Sequence, residues 1–530
     1  MNVVHRAGLR LLVTLLAILA AALGADGARA AELARDQTAH LGVGVGDIRT
    51  LDPFVSVGVG EVPIVQAIYE GLVRFPDGRL SPDELEPGLA ESWSLGDDRL
   101  TWTFKLRKGV KWHGDYGEFT AEDVKFSIER VKDQATGSPF RDDLAVIESV
   151  TVVDPYTVRI KTAQVTPELP ALLVNRGPGY IVSKKAVTAG VDLRTRPIGT
   201  GPFALQEYRP RERVTLVRND AYWRGKPTLE RLVFHFMPDD STRELALRNG
   251  EVHAIDIPAK QDWVDRLRKA GFAVDLTAPA NTFILHLNLT QKPLDDIRVR
   301  RALAHAINRD DLIAFLGKDV AYPEYSPLPQ GYLGHTSDVP RYPYDPDKAR
   351  QLLAEAGHAS GLSFSMSISN NNIYLPPMQL IQQHWKRIGV TVDLRVVDHP
   401  TYHRLIRQNL NPFVIYGAYR YPLTGTPYFS QFFHSNAIIG KPTAITNFSH
   451  YGGVIPGVDD LIEAARFEPD VNKQTRAWME AQRRIMTDAV AIPLFTRRYA
   501  MARHPSFDLG FEQKSWSFYT PTERSRLLKR

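Results

Sequence analysis

Strand-like and helix-like segments alternate along residues 31–530, and no low-complexity tract, internal repeat or long Gly/Ser linker separates them. This alternation predicts an α/β architecture, in which helices cover the faces of sheets. A chain of 530 residues is longer than one hydrophobic core usually serves, so we expect about two to four packed units of roughly 150 residues each. No spacer lies between them, so the units are expected to pack against one another.

The first 30 residues form a distinct segment. Arg6 and Arg10 precede an apolar run over residues 11–23, and Ala28-Arg29-Ala30 follows that run. This order is typical of a secretory signal with a small-x-small cleavage site. The apolar run is shorter than the roughly 20 residues that cross a bilayer as a helix. The sequence therefore predicts export with cleavage after Ala30 and, since no later segment is apolar enough to span a membrane, a soluble mature chain.

The absence of cysteine excludes several kinds of chemistry at once. Disulfides, zinc–thiolate and iron–sulfur sites, thiol nucleophiles and a cysteine-linked lipid anchor are not available to this chain. Removal of residues 1–30 lowers the formal charge from +5 to +3, and charges of both signs are interspersed. Neither nucleic acid nor a membrane surface is therefore predicted as a partner. We expect a freely diffusing periplasmic monomer without a cofactor or a metal.

Four segments predict individual elements. Residues 100–106 alternate apolar and polar side chains, as in a half-buried strand. Thr120 is placed to cap a helix, and Asp345 is placed to cap a second helix that Gly357 ends. A further helix that ends near Gly389 leads directly into a strand.

No local motif predicts an enzyme. The sequence contains no HExxH, GxSxG, P-loop or SxxK motif. Adjacent acids occur at Asp239-Asp240, Asp295-Asp296 and Asp459-Asp460, but helix caps explain them better than a catalytic pair of carboxylates. A secreted hydrolase therefore remains an alternative that only scattered acids and histidines favour.

Two further motifs are interpreted as structural. Gly42, Gly44 and Gly46 lack the spacing of a phosphate loop and favour a close-packed strand. His434 and His450 have no histidine four residues away and no supporting acids, so hydrogen-bonded side chains are favoured over metal ligands.

The most specific feature of the sequence is the run over residues 85–131, LEPGLAESWSLGDDRLTWTFKLRKGVKWHGDYGEFTAEDVKFSIERV. It resembles the family 5 extracellular solute-binding proteins of ABC importers, which include dipeptide-, oligopeptide- and nickel-binding proteins. Further segments that resemble this family are residues 196–208, 217–234, 249–257 and 294–313 and the helix–strand unit that ends at Asp398.

The resemblance implies a two-lobed periplasmic-binding-protein fold of type II, in the large three-subdomain form, with hinge strands between the lobes. Lobe I would comprise residues 31–277, with an inserted subdomain at about 66–198, and the return segment 491–530. Lobe II would be residues 278–490, and the implied hinge strands are 283–289 and 491–495. The implied function is that of a non-enzymatic receptor that delivers a peptide-class or related small organic solute to the transmembrane subunits of an ABC permease.

One loop departs from the family pattern. Peptide-binding members carry an aspartate after a tryptophan, and this acid neutralises the α-ammonium of the peptide. Here the loop reads YGAYRYPLTGTPYF over residues 416–429, with Ala418 at the tryptophan position and Tyr421 at the aspartate position. Dipeptide binders also place an arginine where this chain has Asn370-Asn371-Asn372. A buried ammonium without a counter-charge costs several kcal/mol, so a small zwitterionic peptide held in the usual way is disfavoured.

The departures predict an uncharged or mildly cationic ligand pocket. Amide groups, flat aromatic faces and one guanidinium suit opine-like, sugar-like, sugar-phosphate or capped-peptide ligands. Longer peptides gripped through their backbone do not require the missing acid. The alternative is that the aromatic side chains pack the lobe and the asparagines form a loop. A periplasmic chaperone that holds extended segments is a third possibility. The predicted ligand-binding residues are Asn370, Asn371, Asn372, Tyr374, Tyr416, Tyr419, Arg420 and Tyr421.

Overall fold

The computed structural model describes residues 32–529 except positions 57, 59, 81, 83, 279, 280, 442–445 and 516–518. The predicted signal, residues 1–30, lies outside the described residues. Within the described part, no helix is both long and apolar enough to cross a membrane.

The described strands are numbered in chain order. They are β1 Thr38–Val43, β2 Val73–Arg74, β3 Glu86–Pro87, β4 Ala90–Leu95, β5 Thr101–Leu106, β6 Ile147–Asp154, β7 Thr157–Thr162, β8 Phe203–Arg209, β9 Arg213–Arg218, β10 Arg231–Phe236, β11 Ala254–Ile257, β12 Ala273–Thr277, β13 Thr282–Leu287, β14 Ala321–Pro323, β15 Leu362–Ser369, β16 Val390–Val397, β17 Phe413–Ala418, β18 Ala491–Arg497, β19 Tyr499–Arg503, β20 Phe507–Asp508 and β21 Arg526–Leu527.

The described α-helices alternate with these strands, as the sequence predicts. They are α1 Val62–Ile68, α2 Ala121–Lys132, α3 Leu169–Leu172, α4 Lys184–Thr188, α5 Asp240–Asn249, α6 Gln261–Lys269, α7 Ile297–His305, α8 Arg309–Leu316, α9 Pro346–Glu355, α10 Leu375–Lys386, α11 His399–Ile406, α12 Gly425–Phe432, α13 Val458–Arg466 and α14 Val471–Thr487.

Three sheets organise the chain. A seven-stranded sheet in the order β12-β19-β11-β1-β10-β9-β8 forms the centre of what we call the first lobe. A four-stranded sheet in the order β14-β18-β13-β17 forms the centre of the second lobe, beside the parallel pair β15–β16. A separate sheet, β4-β5-β7-β6, lies within the stretch predicted as an inserted subdomain. Apolar side chains of the first lobe, the insertion and the facing part of the second lobe share one continuous core.

Two neighbouring chain segments connect the first lobe to the second. β12 pairs with β19 in the first sheet, where Thr277 lies opposite Tyr499. β13 pairs with β18 in the second sheet, where Thr282 lies opposite Thr496. Between these pairs the N–H of Arg497 donates to the carbonyl of Asn281 at 2.9 Å. Both predicted hinge strands thus lie side by side in the second sheet, and the two crossings form one antiparallel ribbon.

The predicted helix ends are confirmed by their hydrogen bonds. The Asp123 carboxylate accepts the N–H of Thr120 at 2.9 Å at the start of α2. Asp345 accepts the N–H of Lys348 at 2.8 Å at the start of α9, and Gly357 has a φ of +86° just past its end. Glycine takes this left-handed conformation without steric cost, so the helix stops there.

The predicted close-packed strand at the three amino-terminal glycines is correct for Gly42 only, because β1 ends at Val43, before Gly44 and Gly46. Gly42 lies in β1, and a Cβ atom there would lie 3.0 Å from Ile255. Gly44 follows the strand, where a Cβ would lie 2.7 Å from the Asp256 carboxylate, and Gly46 has open space. The N–H of Gly44 donates to Asp256 at 2.9 Å, so an acid occupies the place that a phosphate loop would offer to an anion.

Candidate functional site

Predicted site residues of the second lobe form an aromatic surface at the end of β17. The Tyr416 ring contacts Phe432 and Phe448, with ring centroids 5.9 and 5.3 Å apart. The Arg420 guanidinium lies 4.7 Å from the centre of the Phe432 ring and donates to the side chain of Gln431 and the carbonyl of Tyr419. The surface therefore combines flat faces with one cation that its neighbours hold in place.

Buried His286 backs this aromatic surface. Its ring stacks on Phe432 and contacts Phe433 and Phe448. Burial lowers the pKa of His286 to about 3, so this side chain is neutral at physiological pH. It adds no positive charge to that of Arg420.

Tyr419 and Tyr421 meet the first lobe. The Tyr421 hydroxyl donates to the carbonyl of Ala171 at 2.8 Å, and its ring contacts Phe75 edge to face. The Arg176 guanidinium lies 5.8 Å from the Tyr419 ring centre and 5.6 Å from that of Tyr421. Burial raises the pKa of Tyr421 well above its usual value, while Arg176 opposes the shift, so the phenol stays protonated and can donate.

The structure therefore adds first-lobe residues, Arg176 and Phe75, that sequence reasoning did not find. Arg176 precedes Tyr421 by 245 positions in the sequence, and Phe75 precedes it by 346. Their sequence neighbourhood carries no recognisable ligand motif, and only the tertiary fold brings them to this loop.

The asparagine loop before α10 forms a separate group. Asn371 accepts the N–H of Ile373 at 3.1 Å and donates its own N–H to Ser369, which is a turn geometry. Asn370 and Asn372 are exposed. Tyr374 is buried, packs against Phe283 and Tyr402, and is hydrogen-bonded to the backbone of Gly417. Asn371 and Tyr374 thus have a clear structural role, and Tyr374 is the member of this group that reaches β17.

The part of the sequence that contains the second-lobe loop has no acidic residue over 60 positions. From residue 399 to residue 458 the sequence contains no Asp or Glu, but it contains Arg404, Arg407, Arg420 and Lys441. Arg176 of the first lobe adds a cation beside this loop.

A groove of about 490 Å³ opens between the lobes beside this loop. Its walls include Tyr421, Gln431 and Arg466 from the second lobe and Glu168 from the first. The hydroxyl of Thr426 donates to Glu168 at 2.8 Å, which is a direct contact between the lobes. Burial raises the pKa of Glu168 to about 7, although the hydrogen bond from Thr426 and the charge of Arg466 oppose that shift.

The pH dependence of stability follows from Glu168. Its pKa is higher in the folded chain than the ordinary 4.5 of an unfolded chain. Glu168 therefore stays protonated to a higher pH in the folded state than in the unfolded state. Stability is then lost as pH rises from about 4.5 to about 7, by at most about 3 kcal/mol. In thermal unfolding we expect Glu168→Gln to match the wild type at pH 4.5 and to exceed it at pH 7.5.

The control for this experiment is Glu148→Gln, which removes an exposed carboxylate that pairs with Lys161. It should leave the difference between pH 4.5 and pH 7.5 unchanged. Parallel pH profiles for Glu168→Gln and the wild type would show that the Glu168 carboxyl does not carry the effect.

The groups weighed for catalysis or metal binding have ordinary structural partners. Asp239 and Asp296 cap α5 and α7, as predicted, and Asp459 lies in the first turn of α13. His434 contacts Glu463 and accepts the N–H of Asn436, and His450 contacts Asn409. Among the described residues, no three His, Asp or Glu side chains are grouped so as to hold a metal ion.

Residues 84–439 match the family described as bacterial extracellular solute-binding proteins, family 5 Middle. The chain is 30% identical over 444 residues to the dipeptide-binding protein of Escherichia coli K12, covering 78% of this chain and 81% of that protein. These matches confirm the resemblance seen in the sequence.

Solved structures extend the similarity over nearly the whole chain. The structure of MoaA from A. tumefaciens R10, in complex with mannopinic acid, is 39% identical with a TM-score of 0.75, covering 93% of this chain and all of that one. The periplasmic binding protein DppA of Helicobacter pylori, in complex with the peptide STSA, is 26% identical with a TM-score of 0.72, covering 93% and 98%. These similarities confirm the predicted two-lobed fold.

Proposed function

Because the chain belongs to the family 5 bacterial extracellular solute-binding proteins, we propose that it is the periplasmic substrate-binding component of an ABC importer. Its relatives are periplasmic binding proteins for peptides and opines. Members of this family are transport components, so we also propose that the chain itself has no enzymatic activity. A receptor is thus favoured over the secreted hydrolase and the chaperone, which the sequence kept as alternatives.

The proposed ligand is an anionic, polyhydroxylated opine of the mannopinic acid type. The observation that carries this choice is the environment of Tyr421, which stands where peptide receptors keep an acid and lies under Arg176. The side chain at position 421 itself offers no counter-charge to an α-ammonium, whereas Arg176 beside it offers a cation to a carboxylate. The 39% identity to the protein solved with mannopinic acid supports the same choice.

We propose that each chemical part of the ligand has a counterpart in the site. Carboxylates would accept hydrogen bonds from Arg176 and Arg420, and hydroxyl groups would use the tyrosine hydroxyls and the faces of the Tyr416 and Phe432 rings. Closure of the lobes excludes water, so each polar contact becomes stronger. The closed shape would then be presented to the permease.

A peptide remains the second candidate because the Escherichia coli relative, 30% identical, is a dipeptide-binding protein. A longer peptide held through its backbone would not need the missing acid.

The test is isothermal titration calorimetry with mannopinic acid, a dipeptide and the tetrapeptide Ser-Thr-Ser-Ala, all in the presence of EDTA. We expect saturable binding of mannopinic acid only. Binding of the tetrapeptide alone would favour the peptide candidate, and absence of binding by all three would contradict both ligand classes.

A prediction about the two arginines follows. Arg176→Ala and Arg420→Ala should each weaken mannopinic acid by about 1.5 to 3 kcal/mol, because each removes a charge-assisted hydrogen bond from a desolvated carboxylate. Calorimetry on each variant gives the dissociation constant. Arg404→Ala, which removes an exposed cation of α11, is the control for the general effect of charge. An unchanged dissociation constant would remove the arginine concerned from the ligand site.

The lobe division is also part of the proposal. We propose that the first lobe comprises residues 31–277 with the insertion at about 66–198, and that it resumes at β19 rather than at residue 491, since β18 pairs within the second sheet. The protein is proposed to be exported by cleavage after Ala30 and to act as a monomer. It has no cysteine to carry a lipid anchor.

A further inference from the structure

Two histidines on α11 have their Nε2 atoms close to each other. His399 and His403 are one helical turn apart, and their Nε2 atoms are 3.1 Å apart. The Nδ1 atom of His399 contacts the Ser369 hydroxyl at 2.9 Å, which fixes the ring and leaves Nε2 as its outward nitrogen. A hydrogen bond at the far nitrogen is the usual support of a metal-binding imidazole.

The relative placement of the two rings distinguishes a hydrogen bond between them from a pair of ligands for one metal ion. A straight N–H···N hydrogen bond would put the ring centroids about 5.4 Å apart, since each centroid lies about 1.1 Å behind its nitrogen. Two nitrogens about 2.05 Å from one metal ion would lie about 2.9 Å apart for an N–metal–N angle of about 90° and about 3.3 Å apart for an angle of about 109°. The centroids are 4.5 Å apart, and the rings are nearly perpendicular at 85°. The two rings therefore do not lie in line, as a straight hydrogen bond would require, and the distance between the nitrogens lies within the range for two ligands of one ion.

A second histidine pair shows the hydrogen-bonded arrangement. The Nδ1 atom of His40 lies 2.9 Å from the Nε2 atom of His235, and the ring centroids are 5.2 Å apart. This separation is close to that of a straight hydrogen bond. The pair on α11 thus differs in geometry from an ordinary contact between two histidines in the same chain.

Two charged residues close to the pair in the sequence are held by the helix backbone. Arg407 donates to the carbonyl of His403 from the next turn and is the cation that opposes a metal ion there. Asp398 binds the N–H of Thr401 at the start of the helix.

We propose that His399 and His403 bind one divalent transition-metal ion, of the Zn²⁺, Ni²⁺ or Cu²⁺ class, through both Nε2 atoms. Imidazole nitrogens suit these ions, and two histidines four residues apart on one helix face are a known arrangement for holding them. The remaining coordination positions are open to water or to donor atoms of a solute. The His403 ring contacts Tyr416, with centroids 5.7 Å apart, so the ion would lie at the edge of the candidate solute site.

The test is calorimetric titration of Zn²⁺ into the mature protein, prepared without a polyhistidine tag and without solute. We expect one equivalent to bind, and His399→Ala and His403→Ala each to weaken it at least about tenfold. His235→Ala, from the hydrogen-bonded pair, is the matched control and should change nothing. No saturable binding, an affinity in either α11 variant equal to that of the wild type, or a loss in His235→Ala would overturn the proposal.

A measurement on the wild type alone guards against misfolded variants. Electron paramagnetic resonance of the Cu²⁺-loaded protein should show two equatorial imidazole nitrogens, and one or none would contradict the site. The solute experiment above is run in EDTA and this one without solute, so failure of either can be told from failure of the other.

Discussion

Replacement of Tyr421 by aspartate is expected to weaken the binding of mannopinic acid at least about 1,000-fold. The new carboxylate would lie under Arg176, pair with it and remove it from the ligand, and it would also repel the ligand's own carboxylates across a desolvated gap. Like charges placed together in such an interface cost several kcal/mol. The same change restores the acid that peptide receptors carry, so the preference for a dipeptide over mannopinic acid should rise.

The control for this substitution is Tyr421→Phe. It keeps the ring against Phe75 and loses only the hydrogen bond to the carbonyl of Ala171, so the loss should be about 1 kcal/mol. Calorimetry on both variants gives the comparison. Equal, small losses in the two would mean that Tyr421 lies outside the ligand site and serves only to join the lobes.

A second large effect is expected at Gly199. A Cβ atom at this position would lie 1.9 Å from the carbonyl oxygen of Ile68 and 2.7 Å from its carbon. Both are backbone atoms and cannot rotate away, and the same carbonyl accepts the N–H of Gly201 at 2.9 Å. Gly199→Ala must therefore displace the end of α1, at a cost of more than about 3 kcal/mol. The thermal midpoint of the first lobe should fall by at least about 6 °C.

Gly46→Ala is the matched comparison, because no heavy atom lies within 4 Å of a Cβ at Gly46. Its effect should stay within about 0.5 kcal/mol. Similar thermal midpoints for the two variants in scanning calorimetry would contradict this prediction. They would show that the backbone near Ile68 can shift to accept a Cβ at position 199 at little cost.

The local elements were predictable because their causes are local. The alternation in residues 100–106 and the caps at Thr120 and Asp345 depend on side chains within a few positions of one another. The pairing of β12 with β19 joins segments more than 200 residues apart. No periodicity marks such a contact, so the sequence alone carried no local signal for this pairing.

The site was predictable in part. The loop at residues 416–421 was found because it departs from a known pattern at Tyr421. Its partners Arg176 and Glu168 were missed because only the tertiary fold brings them there. The sequence analysis did not single out His399 and His403, although they stand four residues apart in HPTYH.

The two crossings between the lobes lie side by side, and we propose that together they form the hinge. The strands are neighbours on both sides of the gap, Thr277 with Tyr499 and Thr282 with Thr496, so a bend of the ribbon at the gap would rotate one lobe relative to the other. A few degrees of rotation there hardly moves atoms next to the ribbon but displaces atoms in proportion to their distance from it. A single distance between labels placed far from the ribbon, one on each lobe, should therefore report the whole motion. A chain without cysteine accepts such thiol-reactive labels at two introduced cysteines and nowhere else.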